Sequence, residues 1–274
     1  TVQTLRALQC RVALNTASDL RTNLLLRLAG VTRLISSYGR GGNFLSNSLV
    51  GAELVRQHEA ERQLQLAAAF LNEELGHYQL RIVPGDEDVR AAKLLFAECV
   101  TEEGAVVAIH PGANVHFKEW PLDRYIEVAH RIIRAHACTI AVLGAPGRES
   151  DIAARVTTAI GARAVNLGGR TPVRILMPFL SQCAIYIGND SGPMHLAAAA
   201  GCPTVALFGA TNHYRFGPYL PDSMKRIIVS RKFQIDTVAQ ARTVGAEYMA
   251  EINEDEVLAA ACELMQLNAI NFAI

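Results

Sequence analysis

Four short polar groups interrupt the apolar runs in the second half of this 274-residue chain. They are His110-Pro111-Gly112 with Lys118, Gly144 to Glu149, Gly168 to Thr171, and Asn189 to His195. The last is the most informative. Ala184 to Ile187 reads as a buried strand, Met194 to Ala200 as a short helix closed by Gly201, and Val205 to Phe208 as the next strand. Two buried strands joined so closely through a helix run parallel, with a right-handed crossover. Asp190 and Ser191 are cap residues, Gly192 admits a ligand to the backbone, and Pro193 suits a first helical turn, where its missing N–H costs nothing. Free N–H groups and the positive end of a helix dipole make such a turn a seat for phosphate. The same residues also suit a plain helix cap, and turn chemistry alone does not separate the two. His195 tips the balance slightly, since a polar ring on the first turn points at whatever the turn binds.

The other three groups share the last one's position, at the predicted carboxyl ends of strands, where open parallel sheets hold their ligands. Lys118 lies in a loop rich in Gly, Asn and His, and its ammonium could neutralise phosphate or simply be solvated. Glu149 starts a helix, where the dipole favours a carboxylate, and as a ligand it would accept hydrogen bonds from a ribose diol. His110 and His116 have no Cys or carboxylate cluster around them, so no metal site is expected. GxxxxGK[ST], GxGxxG and GxSxG are all absent, which removes the nucleotide-hydrolysing phosphate loop, the dinucleotide fingerprint and the α/β-hydrolase elbow.

The elements that must position these residues alternate strand and helix. Strands are predicted at 106–110, 139–144, 164–167, 184–187, 205–208 and 227–229, with helices at 122–135, 149–160, 172–182, 194–200 and 253–267. That rhythm gives a doubly wound parallel sheet. Earlier, strands at 11–15, 31–36 and 80–83 and helices at 19–29, 53–75 and 87–100 form a separate α/β unit. The break near 84–104 sets the boundaries at 1–100 and 101–274. Trp120 reads as core. Tyr38 to Asn43, around Gly39-Arg40-Gly41, is a connector or an anion loop.

Half the residues are hydrophobic and 26 basic side chains balance 26 acidic ones, so a large core is expected and nucleic acid is not a partner. The six scattered cysteines read as buried apolar groups in a reducing compartment. No apolar run reaches the ~18 residues of a membrane span, and no signal peptide is seen.

HPGANVHFKEWPLDRYIEVAHRI, VLGAPGRESDIA, NLGGRTPVRILMPFLSQC and GNDSGPMHLAAAAGCPTVALFGAT, in that order, resemble the carboxyl-terminal domain of glycosyltransferase family 9, the ADP-heptose:lipopolysaccharide heptosyltransferases. The resemblance implies a GT-B fold of two facing Rossmann-like domains, the first incomplete here, with the donor held by the second. It implies inverting, metal-independent transfer of a heptose or related sugar from an ADP-sugar, without a cofactor. The acceptor would be the lipopolysaccharide inner core, placing the protein in the cytoplasm or at the inner face of the cytoplasmic membrane. By motif, Asp190, Ser191, Gly192 and His195 would line the donor phosphates and Lys118 would offset charge on the departing diphosphate. Lys118 and Asp190 are thereby the catalytic pair. Glu149 would hold the ribose and Thr171 lie beside the adenine. Arg21, Arg33 and Arg40, with Arg27, are the expected acceptor surface. The family's amino-terminal strand and its general-base Asp have no counterpart before residue 11. Asp19 is better explained as a helix cap than as a substitute base. An ADP-sugar-binding protein without transfer and a sugar-nucleotide epimerase are the alternatives.

Overall fold

Alternation of short apolar strands with amphipathic helices produces two separate parallel sheets, in units spanning Thr1–Tyr78 and Gln79–Ile274. The computed structural model describes residues 2–17, 19–39, 41–51, 56–76, 78, 80–100, 104–233 and 241–272.

The first unit runs α1 (Val2–Ala7), β1 (Val12–Asn15), α2 (Leu20–Leu28), β2 (Arg33–Ser37), β3 (Ser48–Val50) and α3 (Glu59–Leu71), with strand order β1-β2-β3. Asp19 caps α2, accepting from the Thr22 N–H at 2.8 Å, as its position predicts. Asn23 is fully buried and ties the unit together: its Oδ1 accepts from Asn15 and Ser36, and its Nδ2 donates to the Gly42 carbonyl. The helix expected from residue 53 to 75 is α3, which stops where Asn72 turns left-handed. Residues 52–55 lie outside the described residues.

No strand forms at 80–83. Leu80, Ile82 and Val83 are exposed and have no strand beside them to complete a ladder. The boundary also lies earlier than residues 100/101. The helix α4 (Asp86–Cys99) buries Ala92 and Cys99 against Leu176, Phe179 and Leu180, so its apolar face belongs to the second unit's core.

That second unit continues β4 (Ala105–His110), α5 (Leu122–Ala135), β5 (Cys138–Val142), α6 (Arg148–Ile160), β6 (Ala164–Asn166), α7 (Val173–Leu180), β7 (Ile185–Asn189), α8 (Gly192–Ala199), β8 (Thr204–Phe208), α9 (His213–Phe216), β9 (Lys225–Val229), α10 (Ala241–Ala250) and α11 (Glu254–Phe272). Its six strands are all parallel, in the order β6-β5-β4-β7-β8-β9. The central strands are buried on both faces, which explains their unbroken apolar sequences. Val107 and Ile109 pack with Trp120, α5, α6 and α11 on one side. Val106 and Ala108 pack with α4, α7 and α8 on the other. Cys99, Cys138, Cys183 and Cys202 are buried in this core, whereas Cys10 is exposed.

Candidate functional site

Strand order reverses between β4 and β7, where His110 lies in register with Gly188. Crossovers leave these two strands in opposite directions, opening a crevice beyond their carboxyl ends. Asn189, wholly buried at the end of β7, organises that crevice. Its Oδ1 accepts from the Trp120 N–H (3.2 Å) and the Tyr125 hydroxyl (2.9 Å), and its Nδ2 donates to the carbonyls of Pro111 (3.0 Å) and Gly112 (3.1 Å). One amide thus pins both ends of the loop after β4. A second staple comes from Arg148, which donates to the Ala113 carbonyl and pairs with Glu119. Held at these points, a short 3-10 turn at His116–Lys118 carries the Lys118 ammonium to 2.6 Å from Asp190 Oδ2.

The start of α8 departs from the cap chemistry its sequence suggests. Ser191 occupies the N-cap position with an extended backbone, yet its side chain makes no capping bond. The hydroxyl lies instead 3.4 Å from His110 Nδ1. Asp190 does not cap either, because a nearby ammonium is a stronger partner for its carboxylate than a backbone amide. Pro193 has no N–H to donate, and the Met194 N–H donates to the Ser191 carbonyl at 3.1 Å. A side chain at Gly192 would project into open space.

Glu149, on the first turn of α6, receives two hydrogen bonds on Oε2: one from the Ala145 N–H at 2.9 Å, the other from His110 Nε2 at 3.2 Å. The His110 bond, with help from Ala145 and the charge of Arg148, holds the carboxyl at about 2, below its ordinary 4.5, against the opposing effect of burial. It is therefore an ionised acceptor throughout the neutral range, and Oε1 has no hydrogen-bond partner among the described residues.

Lys118, Glu149, Thr171, Asp190, Ser191, Gly192 and His195 all line one cavity of about 710 Å³, together with His110. Leu143, Val173, Leu176 and Phe216 add apolar surface to this lining. Residues from four strand ends are thus assembled around one space with an ammonium, the start of a helix and an ionised carboxylate.

A sequence model of glycosyltransferase family 9 (heptosyltransferase) matches residues 1–243. The chain belongs to glycosyltransferase family 9. Lipopolysaccharide core heptosyltransferase OpsX of Haemophilus influenzae is 30% identical over 112 residues, which are 40% of this chain and 32% of that protein. Lipopolysaccharide heptosyltransferase 2 of Escherichia coli is 31% identical over 116 residues, 41% and 33% of the two chains. The matched stretches span about a third of the length of these curated relatives. Among solved structures, E. coli ADP-heptose lipopolysaccharide heptosyltransferase II matches with a TM-score of 0.69 at 21% identity, covering 98% of this chain and 80% of that one. The family 9 glycosyltransferase of Veillonella parvula matches at 0.74 with 19% identity, covering 97% and 77%. The fold is the GT-B type of α/β architecture that family 9 uses.

The arginines expected at a family 9 acceptor surface are placed differently from one another. Arg33 donates to the carbonyls of Ala69 and Phe70 and lies over the Phe70 ring, and Arg27 donates to the carbonyls of Leu45, Val31 and Thr32 and to Asn47. Both guanidinium groups hold the first unit together. Arg21 is exposed on α2, and Arg40 lies outside the described residues. Sequence reasoning placed His110 at the right strand end but gave it no role, and it passed over Arg148 and Glu119 altogether. Their signal is a charged pair flanking the Lys118 loop, visible only once α6 is packed beside it.

Proposed function

We propose that this chain transfers a heptose from ADP-heptose to the inner core of lipopolysaccharide, with inversion and without a metal at the donor diphosphate. The observation that carries this reading is the convergence of Lys118, Glu149, Thr171 and the start of α8 on one cavity. Breaking the bond between the sugar and the diphosphate builds negative charge on the departing ADP, and fixed donors stabilise it without reorganisation. The first-turn N–H groups of α8 supply dipoles and Lys118 supplies a full charge. Glu149 Oε1 accepts from the ribose hydroxyls, and the adenine lies against the cavity's apolar lining, beside Thr171 as the family motif implies. An acceptor of this kind places the reaction at the cytoplasmic face of the inner membrane. Among the described residues no helix is long and apolar enough to cross a membrane.

One observation favours a second reading, in which the ADP-sugar is held but not transferred. Asp190 is paired with Lys118, and the Glu149 carboxyl is held at about 2, too acidic to take the acceptor's proton readily. Incubation with ADP-heptose and a heptose-deficient lipopolysaccharide core separates the two. Heptose incorporation is the expected result; ADP binding without incorporation establishes the second reading, and failure to bind ADP removes both.

A further inference from the structure

Tyr186 and Gly188 lie two residues apart on the same face of β7, and the first requires the second. A Cβ on Gly188 would collide with the Tyr186 hydroxyl oxygen and lie 2.7 Å from the ring carbon that bears it. The ring therefore leans across Gly188, toward the carboxyl end of the strand. Gly188 is in register with His110, so the hydroxyl reaches the strand ends beneath the cavity. Tyr186 itself is wholly buried, in the core that contains Leu176, Phe179 and Met194, and it is not part of the cavity lining.

That hydroxyl is costly where it stands. It has no hydrogen-bond partner among the described residues, and an unmade bond on a buried hydroxyl destabilises a fold. Phenylalanine would fill the same space without the cost. Burial pushes the ionisation of the phenol well above its ordinary 10.0, so it keeps its hydrogen across the neutral range. The Ser191 side chain, as a nearby hydrogen-bonding group, draws the ionisation back down, and the charges of Cys202 and Glu149 add to the rise. Ser191 lines the cavity above.

The Ser191 oxygen is only loosely held from its other side. It lies 3.4 Å from His110 Nδ1, beyond the roughly 2.7–3.2 Å of an ordinary bond to nitrogen. A hydroxyl can give one hydrogen and accept another in return. We propose that Tyr186 is a positioning residue in a relay of two hydroxyls: Tyr186 donates to the Ser191 oxygen, and Ser191 gives its own hydrogen to a phosphate in the cavity. Each bond polarises the next, so the pair grips an anion more firmly than serine alone. A buried side chain that never touches the ligand thereby strengthens the diphosphate grip, and its hydroxyl finds its partner when the anion arrives. This rests on the donor-site reading above.

Tyr186→Phe removes the hydroxyl and leaves the ring. Its thermal midpoint is expected to equal or exceed that of the wild type, because an unpaired buried group is gone. Its affinity for ADP is expected to fall about threefold to tenfold, the worth of one hydrogen bond, while its affinity for adenosine, which has no phosphate, stays the same. Ser191→Ala loses at least as much ADP affinity, and adding Tyr186→Phe to it costs nothing further, since the relay has already lost its middle. Calorimetric titration of ADP and adenosine into the wild type, both single variants and the double variant, each beside a thermal melt, reads all of this. Unchanged ADP affinity in either single variant overturns the relay, as do equal losses for ADP and adenosine or losses that add in the double variant. A midpoint of Tyr186→Phe below the wild type means that the hydroxyl is already bonded in the empty protein, and overturns it too. All these outcomes leave the donor site standing. A wild-type protein that does not bind ADP overturns the donor site itself, and this proposal with it.

Discussion

The ammonium of Lys118 lies 2.6 Å from Oδ2 of Asp190, although the two residues are 72 positions apart in the chain. Asp190 is nearly buried and Lys118 is about one quarter exposed. Under the proposed function, the pairing explains why a carboxylate belongs beside a phosphate seat. Alone it would repel the diphosphate; paired, it holds the cation at the rim and cancels its charge until a donor arrives.

Lys118→Ala is therefore expected to weaken ADP binding by more than a lost surface charge would. The charge-assisted bond to phosphate is worth roughly 1.5–3 kcal/mol, about 10- to 150-fold in Kd. The Asp190 carboxylate left behind adds repulsion. Asp190→Asn, which keeps the ammonium and removes the repulsion, is expected to bind ADP better than Lys118→Ala. Calorimetry on the two variants checks this, and equal affinities in both and in the wild type would return Lys118 to a solvated surface role.

Asn189→Ala removes an amide that satisfies the Trp120 N–H, the Tyr125 hydroxyl and two loop carbonyls. Each buried polar group left without a partner costs about 1–3 kcal/mol, so a loss of at least about 3 kcal/mol is expected, a fall in Tm of roughly 6–12 °C. Donor binding should fall with it, because the loop that carries Lys118 loses its anchor. A melt within ~2 °C of the wild type would mean that the loop is held elsewhere.

Glu149 gives the protein an acid limb. Its carboxyl ionises at about 2 in the folded chain against an ordinary 4.5, so the stability it contributes is complete above 4.5 and is lost as pH falls toward 2. The cause is its bond from His110. Melting temperatures of the wild type should therefore drop more steeply over that interval than those of Glu149→Gln. Parallel curves for the two proteins would contradict the assignment of this carboxylate.

The second unit was legible because strands buried on both faces write themselves as unbroken apolar runs, and β4, β5, β7 and β8 are of this kind. The cavity residues were legible for a related reason: a parallel sheet must carry its polar interruptions at one edge. What stayed hidden is long-range pairing. No local pattern connects Lys118 to Asp190, or Asn189 to a loop some 70 residues earlier, and each of these bonds redirected a side chain that local rules had read as a cap or as part of a turn. The run at 80–83 misled for the opposite reason. It has strand composition but nothing beside it to pair with. The three-residue β3 is too short to leave a pattern at all.

Titration of ADP into the wild type and Gly192→Val, in excess EDTA and beside a thermal melt of each, tests the central claim most directly. The Gly192 Cβ direction is open and its backbone is not left-handed, so valine there leaves the fold and its melting temperature nearly unchanged. The added bulk fills the space over the first-turn N–H groups that a phosphate must enter. The account predicts that the wild type binds ADP without metal and that Gly192→Val, equally folded, does not. Normal ADP binding by Gly192→Val, or a strict metal requirement in the wild type, would contradict it.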